Sequence, residues 1–328
     1  MLNPDMHIRD DWAATTERGA TRDGFGKGVQ EAGREDERIV VLSADLSEST
    51  RAEWFQKEFP HRFIEMGVAE QNLATVSAGL ANYGKIPFFT SYAAFSPGRN
   101  WEQIRTTIAL NDVHAVICGM HAGISVGPDG ATHQMLEDIA IMRAMPNMIV
   151  LSPCDVEEAR KATHAAAKAG KPVYMRFGRE KTPAITTLET PFEIGRANVL
   201  MKHEAPKVAL FATGPLVHAA LMAAQSLEQE GIPVSVTNVH TIKPLDTETV
   251  VREARLARAV VSIEEHQVTG GLGSAIAETL VRECPVAMEF IGVQDRFGQS
   301  GTPDELYAHY GMDASHIIQS AKKVIARA

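Results

Sequence analysis

The chain has 328 residues, about twice the length of an ordinary single domain, so two domains are expected. Hydrophobic residues make up 45% and charged residues 22%, the composition of a water-soluble protein with apolar mass for sizeable cores. A net charge of −9 argues against a nucleic-acid partner or an anionic membrane surface.

Residues 1–20 are polar and aperiodic and read as an arm lying over a neighbour. Their opening, MLNPDMHIRDDW, has no apolar run and does not read as a signal peptide. A helix is expected from Thr21, which is placed to cap it, with Phe25, Val29 and Ala32 on one face. IVVLSADLS, from Ile39, reads as a buried parallel strand that delivers small polar residues to a site. RFIEMG is the next strand, followed by a helix through Leu73, Val76, Ala78 and Leu80. IPFFTS and VHAVICGM are strands on either side of a helix over 101–111, and MIVLSP and PVYMRF flank a helix that starts near Asp155. This alternation predicts a doubly wound, mostly parallel sheet.

From Glu180 to Lys207 the text loses its period and gains Pro183, Pro191 and Pro206, which predicts a linker over the surface. A second α/β unit follows, with strands at VALFAT, PVSVTNV, AVVSIEE and VAMEFIGV and helices from Pro215, Asp246 and Leu272. Nowhere does an uncharged apolar run approach the roughly 18 residues of a membrane-spanning helix. Cys118, Cys154 and Cys284 lie far apart without CxxC spacing, as expected of reduced thiols in a cytoplasmic protein, and no metal site is indicated.

Several residues at element ends have chemical potential. Glu70, in GVAEQN, is either a glutamate favoured by a helix N-terminus or a buried carboxyl that shares a proton with a ring nitrogen. Tyr92 and Phe95, in TSYAAF, are either core aromatics or a platform for a heteroaromatic ring. GPDGATHQ places Asp129 and His133 on a glycine turn, and His121 follows a strand towards the same edge. Arg22, Ser49 and Arg179 fall at element termini from which side chains converge on an anion. GGLG, opening a helix in the second unit, is a weak phosphate-loop signal better read as a close packing turn.

Taken in order, ADLSES, FIEMGVAEQN, FTSYAAF, GPDGATHQ, PNMIVLSPCD and YMRFGR resemble the pyrimidine-binding domain of transketolases. TGP, TIKPLD, SIEEHQVTGGLGSA and IGVQDRFGQSGTP resemble the C-terminal domain of the same family. The resemblance implies an α/β fold of two doubly wound, mostly parallel-sheet domains: an arm at 1–20, a pyrimidine-binding domain at 21–190 and a C-terminal domain at 191–328. The GDG motif of the family's diphosphate- and Mg²⁺-binding domain does not occur in this sequence. The chain therefore resembles the C-terminal subunit of a split transketolase whose N-terminal partner holds Mg²⁺ and the diphosphate, the pair assembling as a dimer of heterodimers.

By position, the resemblance makes Glu70 the partner of the pyrimidine N1′ of thiamine diphosphate, with Tyr92, Phe95 and Asp45 also on the cofactor. The third aromatic of the family's cradle is here Gly98, and Ala131 stands where many relatives have proline. His133 and Asp129 match residues that contact the substrate's first hydroxyls, and His133 is counted among the catalytic groups. Arg22, Ser49, His121 and Arg179 match residues that bind a sugar phosphate. The implied reaction moves a two-carbon ketol unit from a ketose phosphate to an aldose phosphate, as in pentose phosphate metabolism. Three alternatives stay open: a deoxyxylulose-phosphate synthase, a 2-oxo-acid dehydrogenase beta subunit, and a non-catalytic assembly partner.

Overall fold

The computed structural model describes residues 1–328. In chain order its strands are β1 (Arg18–Ala20), β2 (Ile39–Ser43), β3 (Phe63–Glu65), β4 (Ile86–Tyr92), β5 (Val116–Met120), β6 (Ile149–Leu151) and β7 (Val173–Arg176). They continue with β8 (Lys181–Pro183), β9 (Asn198–Met201), β10 (Val208–Ala212), β11 (Val234–Asn238), β12 (Thr241–Lys243), β13 (Ala259–Gln267) and β14 (Ala287–Val293). A seven-stranded sheet runs β12-β6-β7-β5-β4-β2-β3, parallel except for β12. A five-stranded sheet runs β14-β13-β10-β11-β9, parallel except for β9. Helices cover both sheets, so β2, β5, β7, β10 and β11 are buried along their whole length, which is why they read as apolar runs rather than alternations.

The helix Thr21–Glu35 buries Phe25, Val29 and Ala32 as the periodicity predicts. Thr21 does not cap it: Ala20 holds the cap position, and Thr21 Oγ1 instead accepts the Gly178 N–H at 2.8 Å, joining the helix to the end of β7. The helix lies close against Val156–Ala167, because a Cβ on Gly24 would meet the Val156 carbonyl oxygen at 2.1 Å. Only glycine permits that approach.

Three stretches differ from the sequence-based expectation. Residues 1–20 lie on their own chain: Asn3 N donates to Leu200 O at 2.8 Å, Trp12 is buried in the core of the second unit, and β1 pairs with β8. Burial of one large aromatic outweighs the polarity of its neighbours. The linker is also ordered. The Asp155 carboxylate caps the helix Val156–Ala167 and receives the N–H groups of Ile185 and Thr186 at 2.8 and 2.6 Å, while β9 completes the second sheet. Finally, β12 leaves the second unit to pair antiparallel with β6, so the two sheets are stitched by a strand rather than by a loose connection.

Candidate active site

The sheet order β7-β5-β4-β2-β3 sets five carboxyl ends side by side, and the predicted site residues lie at or after one of them, except Arg22, which comes from the first turn of the helix Thr21–Glu35. This is the edge at which parallel α/β sheets present their ligand-binding loops.

Glu70 opens the helix Glu70–Asn82 and is 1% exposed. Its Oε2 accepts from Arg99 Nη1 at 2.5 Å and its Oε1 from Ser91 Oγ at 3.4 Å. Asn100 Nδ2 donates to the Glu70 carbonyl at 2.9 Å, which fixes the start of the helix against the loop after β4. Tyr92 ends β4, and Phe95 lies one turn further on, with ring centroids 6.1 Å apart and planes inclined by 19°. His133 meets Phe95 edge-on at 5.5 Å and Tyr92 at 6.2 Å. The aromatics therefore form one wall beside Glu70. Gly98 adds no third ring to it, since even a Cβ there would meet the Ala94 carbonyl oxygen at 2.1 Å.

On the other side of Tyr92 lies His121, its ring stacked 4.2 Å away and its backbone in the left-handed region at φ 53°. Arg22 Nη1 reaches both His121 Nε2 and the Ser49 carbonyl at 2.9 Å. Arginine has no acceptor, so His121 Nε2 accepts and the ring proton sits on Nδ1. Burial, reinforced by the charges of Arg22 and Arg179, lowers the His121 pKa to about 3. His121 is thus a neutral imidazole, not a cation, and Ser49 contributes its carbonyl to this contact.

Arg179 Nη1 donates to the Val126 carbonyl at 3.1 Å and to Asp129 Oδ1 at 3.2 Å, drawing the end of β7 onto the GPDGATHQ loop. That loop is a 3₁₀ segment, Ile124–Asp129, followed by turns, and no helix starts at His133. Its shape comes from Gly127 and Gly130, both at positive φ. Gln134 Nε2 donates to the Ile124, Gly127 and Gln299 carbonyls, tying the loop to the second unit. Asp45 lies slightly apart: it is exposed, and its N–H donates to Glu65 Oε1 at 2.8 Å. The same oxygen takes the Gly67 N–H, so one carboxylate sets both the end of β2 and the turn into Glu70.

Residues unmarked by motif reasoning support the site from behind. The Ser125 N–H donates to Glu265 Oε1 at 2.6 Å. Arg176 Nε donates to Asp138 Oδ2 at 2.8 Å, and its Nη2 to the Glu265 carbonyl at 2.7 Å. Arg176, Asp138 and Glu265 are ionisable and buried, a combination that a single sequence does not reveal. Arg99, on Glu70, is likewise outside the residues that the sequence singles out. The GGLG turn carries no free anion cradle, because Glu264 already takes the Leu272 and Gly273 N–H groups at 2.7 and 2.8 Å. No group of three or more His, Cys, Asp or Glu side chains is placed to hold a metal ion. No helix is long and apolar enough to cross a membrane.

Comparison with known proteins agrees with this architecture. Residues 17–184 match the transketolase pyrimidine-binding domain and residues 195–317 the transketolase C-terminal domain. The chain is 39% identical to a 6-deoxy-6-sulfo-D-fructose transketolase subunit of a Clostridium species, covering 93% of this chain and 94% of that one. It is 34% identical to transketolase of Homo sapiens over 94% of its own length but only 49% of the human chain. A solved split-gene transketolase, described as an inactive β4 tetramer, superposes with a TM-score of 0.87 at 44% identity, covering 94% of this chain and 98% of that one. The chain belongs to the transketolase family, and its two units are that family's pyrimidine-binding and C-terminal domains.

Proposed function

We propose that this chain is the C-terminal subunit of a two-subunit transketolase, and that it binds the pyrimidine of thiamine diphosphate and both sugar substrates. One observation carries this reading: a glutamate with 1% exposure stands at a helix N-terminus beside an aromatic wall, at the carboxyl edge of a parallel sheet. The donor set fits the cofactor. A carboxyl group meets a ring nitrogen, and Tyr92 and Phe95 offer apolar area to the ring, while exposed Asp45 borders the same edge. Thiamine diphosphate, when bound, supplies a ring that stabilises a carbanion, the requirement for moving a two-carbon ketol fragment between sugars.

This chain's own residues then divide the work. Glu70 holds a proton between its carboxyl oxygen and the pyrimidine ring nitrogen. His133, edge-on to the aromatic wall, and Asp129 hydrogen-bond the first hydroxyls of the sugar. Arg22 and Arg179 supply positive charge for a phosphate, with Ser49 alongside. Neutral His121 adds a hydrogen-bond donor but no charge. The C-terminal unit fixes the sugar-binding loop through Gln134 and Glu265.

We assign Mg²⁺ and the diphosphate to an N-terminal partner, within a dimer of heterodimers and with the domain division near residue 190. What supports this is the likeness to chains described as subunits and to a split-gene transketolase described as an inactive β4 tetramer. One relative is named for a 6-deoxy-6-sulfo-D-fructose transketolase, which supports as substrate class a ketose donor with an anionic end and an aldose acceptor. The test is calorimetric titration of the reconstituted pair with thiamine diphosphate and Mg²⁺, followed by a panel of phosphorylated ketoses. Saturable binding with ketol transfer, absent from the chain alone, is the expected result. Absence of binding points to an assembly role, and transfer by the chain alone removes the need for a partner.

A further inference from the structure

Arg99 makes two contacts that the proposed function assigns to the cofactor's ring. Its Nη1 donates to Glu70 Oε2 at 2.5 Å, and its Cζ lies 4.8 Å from the centre of the Phe95 ring. A guanidinium is planar, delocalised and rich in N–H donors, so it can stack on an aromatic and hydrogen-bond a carboxylate at the same time. A protonated aminopyrimidine has the same three properties. The Arg99 N–H donates to the Phe95 carbonyl at 2.9 Å, which holds its backbone one turn from the ring it stacks on.

The Arg99 side chain is nevertheless 47% exposed, whereas that of Glu70 is 1% exposed. With Val68, Gln71, Asn72, Thr75 and Gln103, it lines a cleft open to solvent above Glu70. A long, flexible side chain with a solvent-side exit can leave without disturbing the core. Glu70, anchored through its backbone by Asn100, cannot.

We propose that Arg99 is an internal occupant of the pyrimidine subsite, which the cofactor must displace from Glu70 and Phe95. The inference rests on the function proposed above and adds a determinant of cofactor affinity. With Arg99 in place, Glu70 has a counter-ion and the apo subunit is spared an unpaired buried carboxylate. When the ring enters, it takes over the carboxylate while Arg99 moves into the cleft. Competition of this kind lowers apparent affinity by the fraction of time the subsite is free. If that fraction is one tenth, removing the competitor tightens binding about tenfold.

The experiment measures thiamine diphosphate affinity, in the presence of Mg²⁺, for the reconstituted pair carrying wild-type, R99Q or R99K chains, using calorimetry or quenching of intrinsic fluorescence. The expected order is R99Q tightest, about tenfold below wild type in Kd, with R99K between them because an ammonium keeps the charge but not the plane. In the apo chain R99Q lowers the melting temperature, and the double variant E70Q/R99Q recovers it. Should R99Q fail to fold, R99K still reports the affinity change. Equal or weaker binding by the variants overturns the proposal. Failure of the wild-type pair to bind thiamine diphosphate overturns the assigned function instead.

Discussion

Arg22 donates to the Nε2 of His121 across 2.9 Å, which fixes the tautomer of a histidine expected to bind phosphate. Burial first, and the positive charges of Arg22 and Arg179 second, bring its pKa down to about 3. An unfolded chain protonates an imidazole near pH 6.5, so between about 6.5 and 3 the unfolded state binds the extra proton. His121 therefore costs the folded protein stability as pH falls through that window. Above pH 6.5 it costs nothing by this route. Acid unfolding followed by circular dichroism is expected to be less steep between pH 6.5 and 4.5 for H121Q than for wild type. By NMR, the wild-type His121 ring should not titrate above pH 5. Titration near 6.5 would show that neither burial nor Arg22 holds the ring neutral.

Glu70→Ala in the reconstituted pair is expected to reduce turnover by at least about 10²-fold, the low end for a positioned proton-transfer group. The substitution also strands Arg99, whose partner is gone, so E70Q is the cleaner probe: it keeps the shape and loses the transferable proton. Both are measured as kcat in a coupled assay with saturating cofactor. Wild-type turnover in either variant removes Glu70 from the mechanism.

Much of this arrangement was legible before the structure. The strands that are buried on both faces declared themselves as apolar runs, the ordered motifs from ADLSES to YMRFGR held Glu70, Tyr92, Phe95 and Arg179, and the strand VHAVICGM pointed His121 to the same sheet edge. What escaped notice depends on distant pairing. TIKPLD looks like a turn before a helix, and nothing in it announces that β12 will cross to the edge of the other sheet. Trp12 sits among charged neighbours, yet its own size was a clue that the arm must bury something. Arg99, Arg176 and Glu265 are ordinary charged letters until their partners, 29 to 89 residues away, are brought beside them.

Arg176 illustrates the energetic weight of such a pairing. Its guanidinium is 4% exposed and binds Asp138, itself fully buried and also bonded by the Tyr174 hydroxyl at 2.8 Å. Through the Glu265 carbonyl the same side chain reaches β13, so it joins the two sheets beneath the sugar-binding loop. Arg176→Leu leaves a buried carboxylate without its counter-ion and is expected to cost about 3–5 kcal/mol. The double change R176L/D138L removes both charges and should recover much of that loss. The urea midpoint of each variant checks this. Equal destabilisation by the single and double variants would place the cost in packing rather than charge.

Glu264 presents the opposite balance. Its carboxylate receives two N–H groups at the start of the helix Leu272–Glu283, an environment that favours charge, yet burial dominates and raises its pKa to about 7. The folded state therefore holds a proton that the unfolded chain releases near the ordinary carboxyl range. This group's contribution to stability is fullest below about pH 4.5 and is lost as pH rises towards 7. One proton so linked changes stability by up to about 1.4 kcal/mol per pH unit. Glu264→Gln cannot ionise, so its stability should vary less than that of wild type between pH 5 and 7. The amide keeps an acceptor for only one of the two N–H groups, at a cost of about 1–3 kcal/mol. Urea unfolding at pH 5, 6, 7 and 8 separates the two effects: a flatter profile reports the proton, and a uniform offset reports the lost acceptor. Parallel profiles with an offset alone would mean that the two amides, and not burial, govern the charge of Glu264.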